Sequence, residues 1–113
     1  MELARVIIFT NDVVGLVDFY VTHFGLTVFG EIDPEWTELN AGGCRIAFHK
    51  AGKGRFVKGD NGVKLVFHSN DVAGEKARLE GLGVKMSKIM EFGEIQMCDG
   101  SDPNGHRFQV SSR

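Results

Sequence analysis

The sequence contains one segment twice, and this duplication constrains its fold more than any other feature. Residues 5–15 (RVIIFTNDVVG) return 59 positions later as residues 64–74 (KLVFHSNDVAG). Four of the paired positions are identical, and the others keep a similar residue type except where Phe9 becomes His68. Because self-similarity at a fixed spacing marks a repeat architecture, we predict a protein of two related modules.

The match continues through the rest of each half, with small changes of spacing that insertions in loops would produce. Residues 24–26 (FGL) match residues 82–84 (LGV), and residues 43–48 match residues 105–110. Hydrophobic periodicity and turn residues predict strands at 6–10, 26–32, 36–40, 45–50, 64–69, 84–89, 94–98 and 107–111, with helices at about 13–24 and 72–82. We therefore predict an α+β protein of two tandem β-α-β-β-β modules. We also predict that residues 1–113 form a single domain made of module 1–53, a linker at 54–59 and module 60–113.

Composition excludes several classes of function. The net charge of −2 and the pI near 6.1 give no basic footprint, so we expect no nucleic-acid partner. No apolar run approaches the ~20 residues of a membrane span, and the first residues lack the pattern of a signal peptide. We expect no membrane association and a cytoplasmic location. In that compartment Cys44 and Cys98 are expected to be free thiols.

These motifs together resemble those of the vicinal oxygen chelate superfamily, which includes glyoxalase I, extradiol dioxygenases and bleomycin resistance proteins. The similarity covers essentially the whole chain and rests on the paired modules, on residues 11–12 (ND), 18–20 (DFY) and 24–26 (FGL), and on residues 102–105 (DPNG) before the last strand. The resemblance implies an open, partly closed barrel-like sheet around a cavity, with the helices outside. It also implies a homodimer, and it leaves open whether modules pair within one chain or between two.

The resemblance further indicates where metal-dependent members place their ligands, on the first and last strands of each module. The matching positions here are Arg5, Ala47, Lys64 and Gln109, of which only Gln109 is able to bind a metal. A catalytic divalent metal needs about three protein ligands, and the charges of Arg5 and Lys64 would repel it. We expect no metal and no cofactor at this place, while a displaced metal on His49 or His68 stays open.

Strand alternation predicts which side chains share the face that would line the cavity. A turn at residues 42–43 would pair Trp36 with His49 and Glu38 with Ala47. A four-residue turn at 102–105 would set Cys98 opposite Gln109. The residues predicted to bind ligand are Arg5, Trp36, Arg45, His49, Lys64, His68, Arg107 and Gln109.

The predicted face is unusually basic, and this suggests a function. Like charges repel strongly when desolvated, so an anionic ligand would relieve the repulsion, although strand-end Arg and Lys side chains also commonly reach solvent. The leading hypothesis is a metal-free protein that binds an anionic or polar-aromatic small molecule. The alternative is a glyoxalase-like lyase or isomerase, or a dioxygenase-related enzyme, in which Glu38 or His49 acts as the acid or base. A third possibility is an interaction module whose cavity is filled by Trp36 and Phe9.

Overall fold

The computed structural model describes residues 3–53 and 63–113, and the chain divides into two compact units, Met1–Lys58 and Gly59–Arg113. Each unit contains one copy of the repeated sequence. The predicted linker at 54–59 lies outside the described residues, so the proposed module boundaries stay a prediction. The described residues include no helix long and apolar enough to cross a membrane.

The first module is one mixed four-stranded sheet with a single helix. Its elements are β1 (Arg5–Thr10), α1 (Val13–Phe24), β2 (Thr27–Phe29), β3 (Trp36–Asn40) and β4 (Arg45–Lys50). The strand order is β1-β4-β3-β2. The β1 and β4 strands run parallel, because α1 and two further strands separate them along the chain, and the remaining pairs are antiparallel.

The second module has the same topology. Its elements are β5 (Lys64–His68), α2 (Val72–Gly81), β6 (Met90–Phe92), β7 (Ile95–Ser101) and β8 (Arg107–Ser111). The strand order β5-β8-β7-β6 repeats that of the first module, with β5 and β8 parallel. The predicted α+β class and the two tandem β-α-β-β-β modules are therefore confirmed, and neither described sheet closes on itself. The cavity that the resemblance implies stays a prediction.

Both helices begin in the same way, and the repeated motif explains why. Asp12 and Asp71 are the N-cap residues, and each side chain accepts a hydrogen bond of 2.9 Å from the backbone N–H of Gly15 or Gly74. A Cβ atom on either glycine would collide with the carboxylate of its cap. The shared Asn-Asp-Val-x-Gly sequence is thus a helix-start signal that leaves room for the capping side chain.

Each helix covers one face of its sheet and so leaves the other face for polar side chains. In the first module Tyr20 of α1 stacks on Phe48 of β4 at 5.4 Å between ring centroids, beside the fully buried Leu39. In the second module Leu79 of α2 and Phe108 of β8 are fully buried. Alternation along the strands then places two sets of charged residues on the opposite face, namely Arg5, Glu38 and Arg45 in the first module and Lys64, Asp99 and Arg107 in the second.

The segment between α2 and β6 differs from the prediction. Residues 84–89 were expected to form a strand, but the strand is shorter and later, at Met90–Phe92. Ser87 instead meets β7 through two bonds with Asp99, one from its own N–H to the Asp99 carbonyl and one from the Asp99 N–H to its hydroxyl. The Ser87 hydroxyl therefore takes the place of a backbone acceptor in the pairing with β7, because Ser side chains can form hydrogen bonds that compete with those between strands.

Candidate functional site

The exposed face of the first module gathers charged and aromatic side chains around Glu38. In the β3–β4 pair Trp36 lies opposite His49 and Glu38 lies opposite Ala47, which confirms the predicted register. Arg5 on β1 pairs with Arg45 on β4. Because paired residues point to the same face of a sheet, the topology brings two arginines and one carboxylate together.

Both oxygens of Glu38 accept hydrogen bonds. Oε1 accepts from Arg5 Nη1 at 2.6 Å and from Trp36 Nε1 at 3.2 Å, and Oε2 accepts from Arg45 Nη1 at 3.1 Å. The hydrogen bond from Arg45, with the charge of Arg5 and the bond from Trp36, lowers the pKa of the Glu38 carboxyl against the opposing effect of burial. A general acid or base works best with a pKa near the operating pH, so this geometry does not suit Glu38 to that role.

Aromatic rings border the same cluster. The His49 ring lies edge-on between Phe9 and Trp36, with a centroid separation of 5.3 Å to each. Its Nδ1 is buried and has no hydrogen-bond partner within residues 3–53 and 63–113. The guanidinium carbon of Arg45 lies 4.0 Å from the centroid of the Phe29 ring, a cation–π contact. This face therefore offers apolar rings and N–H donors side by side.

The second module builds a related cluster around Asp99. Oδ2 accepts from Lys64 Nζ at 3.1 Å and from Arg107 Nη2 at 3.3 Å, and Oδ1 accepts from Gln109 Nε2 at 2.9 Å. Burial by itself raises the pKa of the Asp99 carboxyl, but the bonds from Gln109 and Lys64 and the nearby positive charges outweigh it, and the pKa is lowered. In the repeat, Asp99 occupies the place of Glu38.

The predicted pairing of Cys98 with Gln109 is wrong. Asp99 lies opposite Gln109, whereas Cys98 lies opposite Val110, because five residues rather than four separate the paired ends of β7 and β8. Asp102 holds this longer loop by accepting bonds from the N–H groups of Asn104 and His106. A shift of one residue exchanges the two faces of a strand. Cys98 is consequently in the core, where burial raises the pKa of its thiol.

The face is less basic than predicted in the second module, where Asp99 pairs with Lys64 and Arg107. In the first module Glu38 lies on the predicted face and pairs with Arg5 and Arg45, so that each cluster carries a net charge of +1. Asp99 is the residue that the sequence reasoning missed. The remaining predicted residue, His68, is exposed on β5, and its Nδ1 lies 3.2 Å from the backbone oxygen of Arg113.

The positions that hold a metal in relatives do not fit a divalent ion here. They present a guanidinium at Arg5, a methyl group at Ala47, an ammonium at Lys64 and an amide at Gln109 that donates to Asp99. The part of the chain that the structure describes contains no group of three or more His, Cys, Asp or Glu side chains placed to hold a metal. This donor set lacks the three ligands that a catalytic metal needs.

Comparison with known structures supports the fold across the whole chain. The protein SMU.1112c is similar at 17% identity and a TM-score of 0.82, covering 98% of each chain. Lactoylglutathione lyase from Agrobacterium tumefaciens is 15% identical with a TM-score of 0.79, over 97% of this chain and 92% of its own. TnmS3, an antibiotic binding protein from Streptomyces sp. CB03234, is 16% identical with a TM-score of 0.79, over 97% of this chain and 93% of its own.

Sequence comparison identifies a family but no individual relative. No curated protein matches the sequence. The family model of the glyoxalase-like domain matches residues 5–111, which span both repeats and every helix and strand. The chain therefore belongs to the glyoxalase-like domain family, within the vicinal oxygen chelate superfamily.

Proposed function

We propose that this protein binds a small aromatic molecule that carries an acidic group, and that the face of the first module holds it. The observation that carries the proposal is the pair of guanidinium groups that Glu38 holds beside aromatic rings. Arg5 and Arg45 each direct one nitrogen, Nη1, to Glu38, and their side chains are 40% and 45% exposed. The fork of an arginine has further N–H donors that match a carboxylate or phosphate.

The charge and the rings of this face favour the same class of ligand. Two arginines against one carboxylate leave a net charge of +1 in the cluster, which a single anionic group would neutralise. Trp36 and Phe9, on either side of His49, offer apolar surface for an aromatic body. Binding pockets commonly combine apolar walls with a few polar groups that orient the ligand. An anionic and aromatic ligand therefore satisfies both parts of the face.

Binding without a resident metal or cofactor agrees with the donor chemistry of the face. The acceptor atoms of Glu38 are already engaged by three donors, so this carboxylate orients the arginines rather than exchanging protons with a substrate. The fold is compatible with such a role, because the structurally similar TnmS3 is an antibiotic binding protein. At 16% identity this likeness concerns the fold, and the ligand class rests on the residues of this chain.

The test uses two matched probes, 2-naphthoate and its neutral amide 2-naphthamide, titrated against isotopically labelled protein and followed by backbone amide shifts. We expect the shifts to fall on β1, β3 and β4 and the carboxylate to bind more tightly than the amide. The Arg45→Gln variant should weaken 2-naphthoate binding about tenfold, since it removes a charged donor. Lys50→Gln is the control, because Lys50 lies on the same strand but pairs with the exposed Glu35.

Two results would contradict the proposal. One is an equal affinity of the wild-type protein for the carboxylate and the amide. The other is an equal effect of Arg45→Gln and Lys50→Gln on 2-naphthoate binding.

An enzymatic function has one specific observation in its favour, which is the unpartnered Nδ1 of His49. A histidine whose ring nitrogen is not engaged is available as an acid or base in a lyase or isomerase of the glyoxalase type. Elemental analysis of protein purified without chelator, followed by the same measurement on His49→Gln, tests this alternative. A stoichiometric transition metal that the substitution removes would favour the enzyme over the binding protein.

We further propose that the protein is a cytoplasmic homodimer, as the family resemblance implies. Light scattering coupled to size-exclusion chromatography measures the mass directly against the 12.4 kDa of one chain. A mass of one chain across the accessible concentration range would exclude the dimer.

A further inference from the structure

The second module contains a buried acceptor atom that its surroundings leave without a hydrogen bond. Gln109 is 4% exposed, and its Nε2 donates to Asp99 Oδ1 at 2.9 Å. Its Oε1 is buried and finds no partner in the described parts of the chain. Buried polar groups in folded proteins are nearly always hydrogen-bonded, so this atom is a place for a donor that the described residues do not supply.

The orientation of this amide is fixed by its neighbours. Asp99 is held between Lys64 and Arg107, and an ionised carboxylate only accepts hydrogen bonds. Gln109 must therefore turn its NH₂ group toward Asp99, which directs Oε1 away from it. Reversing the amide would place an oxygen against the carboxylate. The oxygen and nitrogen of an amide have nearly the same shape, so they are told apart by their hydrogen-bond partners. The partners in this cluster assign Oε1 as the available acceptor.

The surface beside this acceptor is apolar. Val66 pairs directly with Gln109 across β5 and β8, so the two side chains share one face, and Val66 is 48% exposed. An exposed apolar side chain next to an unpartnered acceptor suits a ring that bears a hydroxyl group. At the corresponding position of the first module, Ala47 has no polar side-chain atom, so this amide acceptor has no counterpart there.

We infer that Gln109 and Val66 form a subsite on the second module that accepts an uncharged aromatic hydroxyl, with Oε1 of Gln109 taking the hydrogen bond. The inference rests on the proposed function in one respect, namely that this chain binds small molecules on its sheet faces. It adds a specificity that the basic residues do not supply. The subsite selects ligands with a hydrogen-bond donor over ligands of the same shape without one, and Asp99 is the positioning residue that creates this selectivity.

The test compares phenol with anisole, which differ in the donor that Oε1 would accept. Both are titrated against labelled protein, and backbone amide shifts on β5 and β8 report binding. We expect phenol to bind about tenfold more tightly than anisole, since a site with an unpaired polar group discriminates strongly against a ligand that leaves it unpaired. Gln109→Met should bring the two affinities together by weakening phenol alone. Gln96→Met is the matched control, because Gln96 of β7 bonds to the exposed Glu91 instead.

Asp99→Asn supplies a second variant that keeps the shape of the cluster. An asparagine amide both donates and accepts, so the Gln109 amide is released from its single orientation, and the ratio of phenol to anisole affinity should fall while 2-naphthoate binding on the first module is unchanged. This variant also provides the test if Gln109→Met does not fold.

Several outcomes overturn the inference. They are equal affinities for phenol and anisole in the wild-type protein, no binding of either probe, and a preference for phenol that survives the loss of the Gln109 amide. None of these outcomes touches the 2-naphthoate result, which reports the first module. A failure of the subsite is therefore distinguishable from a failure of the proposed function.

Discussion

Single carboxylates decide the chemistry of both faces. Glu38 turns Arg5 and Arg45 from two repelling cations into an oriented pair, and Asp99 does the same for Lys64 and Arg107. Because the four cations are partly exposed, each ion pair is expected to add only modestly to stability. The carboxylate also has a geometric role, since it fixes which donors face it and which would remain for the proposed ligand.

At Gly100 a packed aromatic ring leaves no space for a side chain. A Cβ atom there would lie 2.5 Å from Cζ of Phe108, which is fully buried, and 2.8 Å from Sδ of Met86. We expect Gly100→Ala to lower the free energy of unfolding by about 1–3 kcal/mol, because the packed ring cannot move away without strain.

Urea unfolding measures this effect, with Gly43→Ala as the control. Gly43 has no atom within 4 Å of the position a Cβ would take, so its substitution should change the free energy of unfolding by less than about 0.5 kcal/mol. Equal stabilities of the two variants would show that the β7 face tolerates a side chain at Gly100.

At the scale of helices and strands, the duplicated motif is a folding signal rather than a binding motif. Asp12 and Asp71 have the same backbone angles, φ −133° and ψ 76°, and cap their helices through the same bond. The segments that follow differ in strength, since α1 buries Leu16, Phe19 and Tyr20 whereas α2 buries only Val72 and Leu79. The shorter and less apolar helix depends more on its cap.

We therefore expect Asp71→Ala to lower the free energy of unfolding by about 1 kcal/mol, the usual value of an N-cap. Chemical denaturation measures this, and Asp18→Ala is the control, since the exposed Asp18 side chain makes only a 3.5 Å contact within its helix. Hydrogen exchange should locate the loss in α2. A uniform loss of protection throughout the second module, with none specific to the first turn of α2, would contradict a local capping role.

Strands were predicted best from the sequence where hydrophobic alternation extended over many residues. Helices were predicted best where an N-cap residue marked the start and a glycine followed the end. Residues 84–89 were misassigned because Ser87 bonds to β7 through its side chain, which periodicity does not reveal. The register of β3 and β4 was predicted correctly, and that of β7 and β8 was wrong by one residue. The β7–β8 register was wrong because the loop between these strands is one residue longer than predicted, and hydrogen bonds to Asp102 hold it at that length. Since side chains alternate along a strand, this one-residue shift assigned every residue of β7 to the wrong face.

For the molecule as a whole, the repeat explains why the site residues come in related sets. Each module places a cation on its first strand, a carboxylate on its third and a cation on its fourth, and these positions follow from one topology used twice. Positions that differ between the copies are then the places where the proposed ligand specificity would arise. The first module has Ala47 where the second has Gln109, and it has Trp36 where the second has Met97. These differences give the first module aromatic surface and the second module an amide that accepts a hydrogen bond.

The two clusters also predict how the stability of the whole protein depends on pH. The pKa values of Glu38 and Asp99 are lowered in the folded protein, so the unfolded chain binds their protons at a higher pH than the folded chain does. Their contribution is present above the ordinary carboxyl pKa and is lost as the pH falls through the lowered values. We expect the free energy of unfolding, measured by urea titration, to decline from about pH 5 downward.

Substitution separates these two carboxyls from the others. Glu38→Gln and Asp99→Asn should each flatten the decline in stability below about pH 5, and the double variant should flatten it by the sum of the two effects, because the ionic contacts of each carboxylate lie within its own module. Glu35→Gln is the control, since the Glu35 side chain is 69% exposed and its pair with Lys50 is a surface contact. A decline as steep in the double variant as in the wild type would show that other carboxyls govern acid unfolding, and that the two clusters orient their cations without stabilising the fold.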